Sequence, residues 1–446
     1  MGIRGGGCRM TGRRSIVHIS LGVLLIALLA LVAGCNGDEE LSTEEPAASP
    51  VATDTVPRVT SDATASDAVA EPTPMMPDFR ASGSTGGAVG DNAPEFSGIN
   101  QWLNSDELTM EGLRGDVVLI DFWTYTCVNC IRTMPFLRDW NEKYADRGLT
   151  MIGVHTPEFD FEKITENVAA ANEELGVVWP VAQDNNFRTW RSYNNRFWPA
   201  KYLIDANGVV RYTHFGEGAY DETEHHIRAL LEEAGSDVSD IEVGSGPEPT
   251  HDPRARGTSR ENNDSQTREI YGGWQRNAST NGLYIAHPQY YDAQGLIQVY
   301  RDPGNHLNQF MYLHGSWRSD LEAITHGRET ENYEDYIALR FFARSVNIVV
   351  DLEEGVEPFE VEVTIAESLP ADAERGAELA YRPLTADEAG EHIVIEGGRS
   401  YFVVDEPDLY NVVSLPEFGD AELKFSSNSP HFALFALTFG SYNEVY

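Results

Sequence analysis

Two cysteines separated by two residues, Cys127 and Cys130, are the side chains in this sequence best suited to chemistry. The apolar run 117–122 before them predicts a buried strand, followed by a turn and a helix. A helix that begins at Cys127 would direct its free N–H groups and the positive end of its dipole at that sulfur, which favours the thiolate. Cys127 is therefore the predicted nucleophile. Cys130, one helical turn further on, can attack a mixed disulfide and release the partner, which makes it the predicted resolving thiol.

Zinc sites use the same Cys-x-x-Cys spacing, but they need two further Cys or His ligands with close spacing of their own. The sequence has four cysteines, and the other two, Cys8 and Cys35, lie in its N-terminal segment. Its histidines do not supply the missing pair. We therefore predict no metal site, and no cofactor other than a redox-active disulfide between Cys127 and Cys130.

Several motifs around the cysteines follow the order found in thioredoxin-fold proteins. Residues 90–96 (GDNAPEF) match the motif that opens redoxin domains, 121–123 (DFW) match the strand end before the cysteines, and 198–205 (WPAKYLID) match the strand with a cis-proline. Pro135 falls where helices of this fold carry a kinking proline. The stretch 90–231 therefore resembles the TlpA/ResA group of thiol–disulfide oxidoreductases. Within that group it is most similar to the extracytoplasmic part of DipZ-type proteins.

This resemblance gives Asp121 a role in proton transfer. Asp121 matches the buried carboxylate of thioredoxins, and burial would raise its pKa so that it accepts the proton of Cys130. The alternative is an aspartate that bonds backbone groups at a strand end.

The resemblance also implies a binding surface for substrate. Pro199, if cis, leaves the neighbouring backbone groups free to pair with an incoming peptide, and Trp198 precedes it. Trp123 and Tyr125 are expected to shape the rim of the site.

Other positions near the cysteines leave questions open. The dipeptide between them is Val128-Asn129 and not the Gly-Pro of thioredoxin, and this dipeptide tunes the reduction potential, so the direction of exchange stays open. His155 and Glu158 follow a strand at the same end of the sheet as the cysteines. They either flank the site or cap a helix.

The surrounding sequence predicts an α/β thioredoxin-like domain with alternating strands and helices. Apolar runs predict strands at 149–154, 179–182, 200–204 and 209–213, short β elements within 99–113, and helices at 131–144, 161–175, 187–193 and 223–231. The Asn-Gly turn at 207–208, between two apolar runs, predicts a hairpin.

The C-terminal part has a different pattern. Many short apolar or alternating runs separated by turn residues predict an all-β jelly-roll sandwich; they are 296–300, 336–341, 346–350, 359–365, 392–395, 401–404, 411–414 and 433–439. This part resembles the carbohydrate-binding-module-like domain of DipZ-type proteins. Trp274, Tyr284, Trp317 and Tyr333 either form a surface that stacks on a glycan ligand or fill the core. A docking or substrate-presenting role is the alternative function.

Composition limits the partners of the protein. The 446 residues include 32 Lys and Arg against 71 Asp and Glu. Phosphate backbones bind basic surfaces, so we predict no nucleic-acid partner.

The N-terminus predicts export. Four arginines within the first 14 residues precede an apolar run at 16–33, the order of a secretory signal. Residues 32–35 (VAGC) resemble a bacterial lipobox, which implies cleavage before Cys35 and lipid attachment to its sulfur. The alternative is a retained membrane helix.

These patterns divide the chain into five segments. They are a lipoprotein signal peptide (1–34), an acidic linker rich in Ser, Thr, Pro and Ala (35–89), the thioredoxin-like domain (90–236), a second linker (237–266) and the β sandwich (267–446).

We therefore expect an exported thiol–disulfide oxidoreductase, lipid-anchored on the outer face of the cytoplasmic membrane. The resemblance implies protein thiol or disulfide substrates, a membrane electron donor of the CcdA/DsbD type, and a reductase role in cytochrome c maturation or exported-thiol maintenance. The alternatives are a non-catalytic surface lipoprotein that binds glycans or proteins, and a thiol peroxidase.

Overall fold

The computed structural model of the chain describes residues 82–244, 266–277, 283–367 and 379–441. The predicted signal peptide, the predicted lipidation residue Cys35 and most of both predicted linkers lie outside the described residues. Within the described ranges, no helix is both long and apolar enough to cross a bilayer.

The helices and strands of these ranges alternate in the first domain, and strands dominate the second. In chain order they are β1 (Gln101–Leu103), β2 (Val117–Trp123), α1 (Val128–Tyr144), β3 (Leu149–His155), α2 (Thr165–Glu174), β4 (Val181–Gln183), α3 (Arg188–Ser192), β5 (Ala200–Ile204), β6 (Val210–Phe215), α4 (Tyr220–Glu233), β7 (Ile270–Tyr271), α5 (Pro288–Asp292), β8 (Ile297–Tyr300), β9 (Met311–Ser319), β10 (Ile324–His326), β11 (Tyr336–Val350), β12 (Phe359–Glu367), β13 (Arg382–Pro383), β14 (Val394–Glu396), β15 (Arg399–Val404), β16 (Asp408–Ser426) and β17 (Ala433–Gly440).

Strand β2 lies inside the six-stranded sheet of the first domain, whose order is β1-β4-β3-β2-β5-β6. It pairs in parallel with β3 and antiparallel with β5, and all seven of its residues are buried. Alternate side chains of β2 point to opposite faces of the sheet. Those on one face pack against α1 and α4, and those on the other face pack against α3. The strand is therefore covered on both faces, as the apolar run predicts, and the thioredoxin-like α/β class is confirmed.

Helix α1 begins at the cysteines, as predicted. Cys127 is the extended N-cap residue, with φ −82° and ψ 105°, and α1 continues to Tyr144 with Pro135 inside it. Its buried face includes Leu137 and Trp140, which pack onto the sheet and fix the direction of the helix.

The single helix predicted over 161–175 is wrong. A 3₁₀ turn at Asp160–Lys163 is separated from α2 by Ile164, which is extended with φ −76° and ψ 119°. The carboxylate of Glu162 accepts the backbone N–H groups before the turn, and such local bonds compete with a continuous helix.

The β5–β6 hairpin forms as predicted from the Asn-Gly pair. The Asp205 carboxylate accepts the backbone N–H groups of Asn207 at 3.0 Å and Val209 at 2.9 Å. Gly208 takes the left-handed conformation that the turn requires, with φ +76°.

The first folded domain begins before Gly90, where the predicted linker ended. The Ser82 N–H donates to the Gly90 carbonyl at 2.7 Å, and the Gly86 N–H donates to the Asn92 carbonyl at 3.1 Å. A Cβ on Gly87 would lie 2.1 Å from the Tyr193 carbonyl oxygen, so only glycine fits there. Gly87, inside the predicted linker, therefore allows a close backbone approach.

The second domain is an all-β sandwich, as predicted. Its main strand order is β14-β15-β12-β16-β11-β17-β10-β9-β8. In addition, β7 pairs with β17, β13 pairs with β12, and β11 also pairs with β9. The long strands β11 and β16 pair antiparallel through two register shifts, and such irregularities let a strand bend. Strand β9 was missed because Gly315 and polar residues such as His314 interrupt its apolar pattern.

Candidate functional site

Cys127 and Cys130 form a disulfide, with their Cα atoms 5.2 Å apart. Cys127 is partly exposed, whereas Cys130 is fully buried. The Cys130 N–H donates to the Cys127 sulfur at 3.2 Å, so the N-terminus of α1 faces that sulfur. Once reduced, Cys127 is placed for attack on an external disulfide, and Cys130 is placed to attack Cys127 from within.

The loop Thr124-Tyr125-Thr126 carries the chain from β2 to Cys127 and is buried throughout. Thr124 Oγ1 lies 3.3 Å from His155 Nε2, and the Tyr125 ring stacks on the His155 ring with centroids 5.8 Å apart. Burial lowers the pKa of His155 to about 3, so the imidazole is neutral. His155 therefore packs against this loop in the interior of the domain and does not flank an open site.

A buried carboxylate that the sequence analysis did not single out, Glu162, also contacts this loop. Thr126 Oγ1 donates to Glu162 Oε1 at 2.6 Å. Burial raises the pKa of Glu162 to about 7, with a further contribution from the charge of Glu158. The apolar residues around position 162 gave no signal of this contact, which arises only in the tertiary fold.

Asp121 lies on β2 beside a second unexpected residue, Lys201 on β5. Their positions are paired across the two antiparallel strands, both are buried, and Lys201 Nζ lies 4.0 Å from Asp121 Oδ1. Burial raises the pKa of Asp121 to about 6, although the charge of Lys201 opposes the shift. Burial also lowers the pKa of Lys201. This pair could have been suspected from the sequence, because Lys201 is the only charged residue in the apolar strand 200–204 and comes two residues after Pro199.

The Trp198–Pro199 peptide bond is cis. The Trp198 indole N–H donates to the Thr156 carbonyl at 2.9 Å, and its ring lies 4.2 Å from that of Trp190. The Pro199 carbonyl accepts the Gly216 N–H at 2.8 Å. The loop before β5 is thus fixed by three neighbouring segments.

Trp123 and Tyr125 do not form the predicted rim of the site. Their exposed fractions are 1% and 3%. Trp123 lies on the face of β2 that packs against α1, and its ring contacts His155 edge-on at 5.2 Å. Trp123 therefore supports the cysteine loop from the core and cannot contact a substrate directly.

Residues 158–163, here called the docking loop, bind the β sandwich through polar contacts. Glu158 forms an ion pair with Arg276 at 2.8 Å and accepts the Tyr271 hydroxyl at 2.9 Å. The Asp160 N–H donates to Glu322 at 2.9 Å. Glu158 therefore neither flanks the cysteines nor caps a helix, the two roles that its position had indicated.

Aromatic rings complete this contact. Phe435 on β17 meets Phe159 edge-on at 5.2 Å and Phe161 edge-on at 5.0 Å. All three rings are buried, so the two domains share an apolar core at the docking loop.

The four aromatic residues considered for glycan stacking occupy different environments. Tyr284 and Trp317 are buried in the core of the sandwich. Trp274 packs partly against that core, and the ring of Tyr333 is covered by the Arg399 guanidinium at 4.6 Å. They therefore do not form one shared platform.

Among the described residues, carboxylates of Glu174, Glu406 and Asp408 lie within 4.8 Å of one another, close enough to share a cation. Neither cysteine belongs to this group, and the disulfide leaves neither sulfur as a thiolate ligand.

Comparison with known proteins gives matches to both domains. Residues 88–231 match the Redoxin family, and residues 267–440 match the family described as Thioredoxin like C-terminal domain. Protein DipZ of Mycobacterium bovis is 40% identical over 261 residues, which are 58% of this chain and 35% of DipZ. The chain thus spans about a third of the length of the DipZ proteins that it matches.

Shorter proteins match the first domain along nearly their whole length. Thiol-disulfide oxidoreductase YkuV of Bacillus subtilis is 31% identical over 145 residues, which are 31% of this chain and 94% of YkuV. The solution structure of a thioredoxin-like protein in the oxidised form is 28% identical, with a TM-score of 0.30 and coverage of 31% of this chain and 94% of that one.

Proposed function

Because this chain belongs to the thioredoxin-like thiol–disulfide oxidoreductases, we propose that it exchanges disulfides with protein substrates through Cys127 and Cys130. The Cys127 thiolate attacks a substrate disulfide, which forms a mixed disulfide and releases one substrate thiolate. The Cys130 thiolate then attacks the Cys127 sulfur and releases the second thiolate. The substrate is reduced by two electrons and the cysteine pair is oxidised, so the pair is the only redox group required. The position of Cys127 at the N-terminus of α1 carries this proposal.

Asp121 is the proposed acceptor of the Cys130 proton. It lies in the interior on the strand that leads to the cysteines, and its pKa of about 6 is close to that of a useful base at neutral pH. Lys201 would stabilise the ionised carboxylate between turnovers.

Pro199 and Trp198 are the proposed substrate-binding residues. The Trp198 ring is held by the Thr156 carbonyl and the Trp190 ring, so the backbone before β5 is fixed in one conformation, which favours pairing with an extended peptide.

For cellular context, we propose an exported protein anchored by lipid on Cys35 and supplied with electrons by a membrane donor of the CcdA/DsbD type. The apolar run and lipobox-like residues before Cys35 support the anchor, and the similarity to DipZ supports an extracytoplasmic site. A reductase role in cytochrome c maturation or exported-thiol maintenance follows from that setting. Cys35→Ser should remove lipid labelling and release the protein from the membrane fraction, whereas Cys8→Ser should not remove the lipid.

Trapping tests the exchange reaction. Cys130→Ser should accumulate mixed disulfides with protein substrates, and Cys127→Ser should form none. A reversible two-electron potential of about −270 mV would indicate a reductant, and one of about −120 mV an oxidant. The absence of reversible exchange would contradict the catalytic proposal, and consumption of hydrogen peroxide without disulfide exchange would favour a thiol peroxidase.

A further inference from the structure

One carboxylate connects the cysteine loop with the docking loop. Glu162 is fully buried, and its Oε1 accepts the hydroxyl of Thr126, the residue before Cys127. Its Oε2 accepts the backbone N–H groups of Glu158 and of Phe159, the latter at 2.9 Å. The two loops are therefore held together by opposite oxygens of the same group.

The docking loop is in turn held by the β sandwich. Arg276 and the Tyr271 hydroxyl both bind the carboxylate of Glu158, whose own N–H is bound by Glu162. Phe435 packs on both aromatic rings of the loop. A chain of direct contacts thus runs from the second domain through Glu158 and Glu162 to the residue before Cys127.

The groups around Glu162 make its charge sensitive to this arrangement. Burial and the charge of Glu158 raise its pKa, bonds from Thr124, Thr126 and the Phe159 N–H lower it, and the net pKa is about 7. The nearby His155 is neutral, and Arg276 pairs with the carboxylate of Glu158. Loss of Arg276 would leave Glu158 uncompensated and keep Glu162 protonated to higher pH.

We propose that Glu162 is a positioning residue through which the β sandwich controls the reactivity of Cys127. When ionised, it places a negative charge behind the cysteine loop and disfavours the Cys127 thiolate. When neutral, it still binds Thr126 but no longer opposes the thiolate. This proposal rests on the proposed role of Cys127 as nucleophile, and it assigns the second domain a regulatory function within the same chain.

Glu162→Gln separates charge from position in the full-length reduced chain. A glutamine can accept both backbone N–H groups with its oxygen and donate to Thr126 Oγ1, so the geometry is kept. The rate of Cys127 alkylation by iodoacetamide should exceed that of the wild type about threefold or more at pH 8, and the two rates should coincide at pH 5.5, where both side chains are neutral. Superimposable pH profiles from 5 to 9 would overturn the proposal.

Thr126→Val tests the same contact without altering Glu162. It removes one hydrogen bond that favours the ionised carboxylate, so the profile should shift in the same direction as in Glu162→Gln, but by less. Thr133→Val is the matched control, because Thr133 is also buried but its hydroxyl bonds the Asn129 carbonyl inside α1. Equal profiles for both threonine variants would contradict the proposal.

A double-mutant cycle tests the connection to the sandwich. Arg276→Met should accelerate alkylation near pH 7.5, and this effect should disappear when combined with Glu162→Gln. Arg340→Met, which breaks the Arg340–Asp420 ion pair within the sandwich, should have no effect in either background. Persistence of the Arg276→Met effect in the glutamine background would overturn the proposed route. The wild-type exchange rate is measured alongside, because its absence would instead refute the proposed function.

Discussion

Asp121 and Lys201 face each other across β2 and β5, with Oδ1 and Nζ 4.0 Å apart and both side chains buried. The two residues come from the strand that leads to the cysteines and from the strand that follows the cis-proline. Burial makes each charge costly unless the other is present. The charge state of Asp121 is therefore set by burial, which raises its pKa, and by one neighbour whose charge opposes that shift.

Lys201→Met should destabilise the protein in a pH-dependent way. Without Lys201, the pKa of Asp121 rises above about 6, so the folded carboxyl is protonated and tolerated at pH 5 but uncompensated at pH 8. A group with a raised folded pKa contributes stability at low pH and loses it as pH rises through that value. We expect the free energy of unfolding in urea to fall by about 2–4 kcal/mol at pH 8 and by much less at pH 5.

Lys163→Met is the matched control for this variant. Lys163 pairs with Asp160 three residues away, both side chains are exposed, and its loss should cost under about 1 kcal/mol at both pH values. An equal loss at pH 5 and pH 8 in Lys201→Met would show that packing, not charge, explains the effect.

The β sandwich should lose stability at alkaline pH, because His306 stabilises it only while the imidazole is protonated. Its Nε2 lies 2.8 Å from Asp302 and its Nδ1 2.5 Å from Glu422. Burial alone would lower its pKa, but the two carboxylates outweigh burial and raise the pKa to about 9. The stabilisation is complete below about 6.5, the pKa of an unfolded histidine, and is lost as pH rises through about 9.

The size of this effect can be read from unfolding free energies between pH 6 and 10. We expect the wild type to lose about 2–3 kcal/mol over that range, and His306→Gln to lose much less. The exposed His431 provides a control, since His431→Gln should retain the wild-type slope. Parallel slopes for the wild type and His306→Gln would exclude the charged histidine as the cause.

Phe435→Ala should separate the unfolding of the two domains. The ring fills the contact with Phe159 and Phe161, and its loss should cost about 3–5 kcal/mol. Calorimetry should resolve two transitions in place of coupled unfolding. Phe341→Ala, within the sandwich core, should lower the stability of the second domain without separating the transitions. A single cooperative transition in Phe435→Ala would contradict this prediction.

Gly153→Ala should disturb the support of the cysteine loop. A Cβ there would lie 2.7 Å from Nε1 of Trp123, the residue before that loop. We expect a loss of about 1–3 kcal/mol in unfolding free energy and slower disulfide exchange. At Gly419 the nearest atom to an added Cβ is 3.6 Å away, so Gly419→Ala should leave the exchange rate unchanged. Normal exchange in Gly153→Ala would show that the loop tolerates a displaced indole.

Local patterns were sufficient to predict the elements that carry the cysteines. The strand β2, the helix that begins at Cys127 and the turn at Gly208 each depend on residues close in sequence. They can therefore be predicted without knowing which distant segments they contact. Most of the longer strands of the sandwich were also predicted, but β7, β9, β10, β13 and the second half of β16 were not. At β9, polar residues and Gly315 hid the apolar pattern.

The remaining features depend on contacts between distant segments. The contact of Lys201 with Asp121 follows only from the register of β5 against β2. The contact of Glu162 with Thr126 follows only from the approach of two loops. The position of Trp123 could have been predicted, because a period of two places it on the same inward face as Leu119. Its place beside the cysteines favoured a rim position in the sequence analysis, and burial overrides that inference.

The docking loop has a consequence for how the chain can be divided. Residues 245–265 join the two domains covalently, so their contact forms within one molecule and does not depend on protein concentration. That contact includes one ion pair, hydrogen bonds and three rings at the docking loop, and Glu174 of the first domain also lies close to Glu406 and Asp408 of the sandwich. After a protease cut between 245 and 265, these contacts alone would hold the halves together. Their association would then depend on concentration, and dilution would separate the cysteine domain from its neighbour.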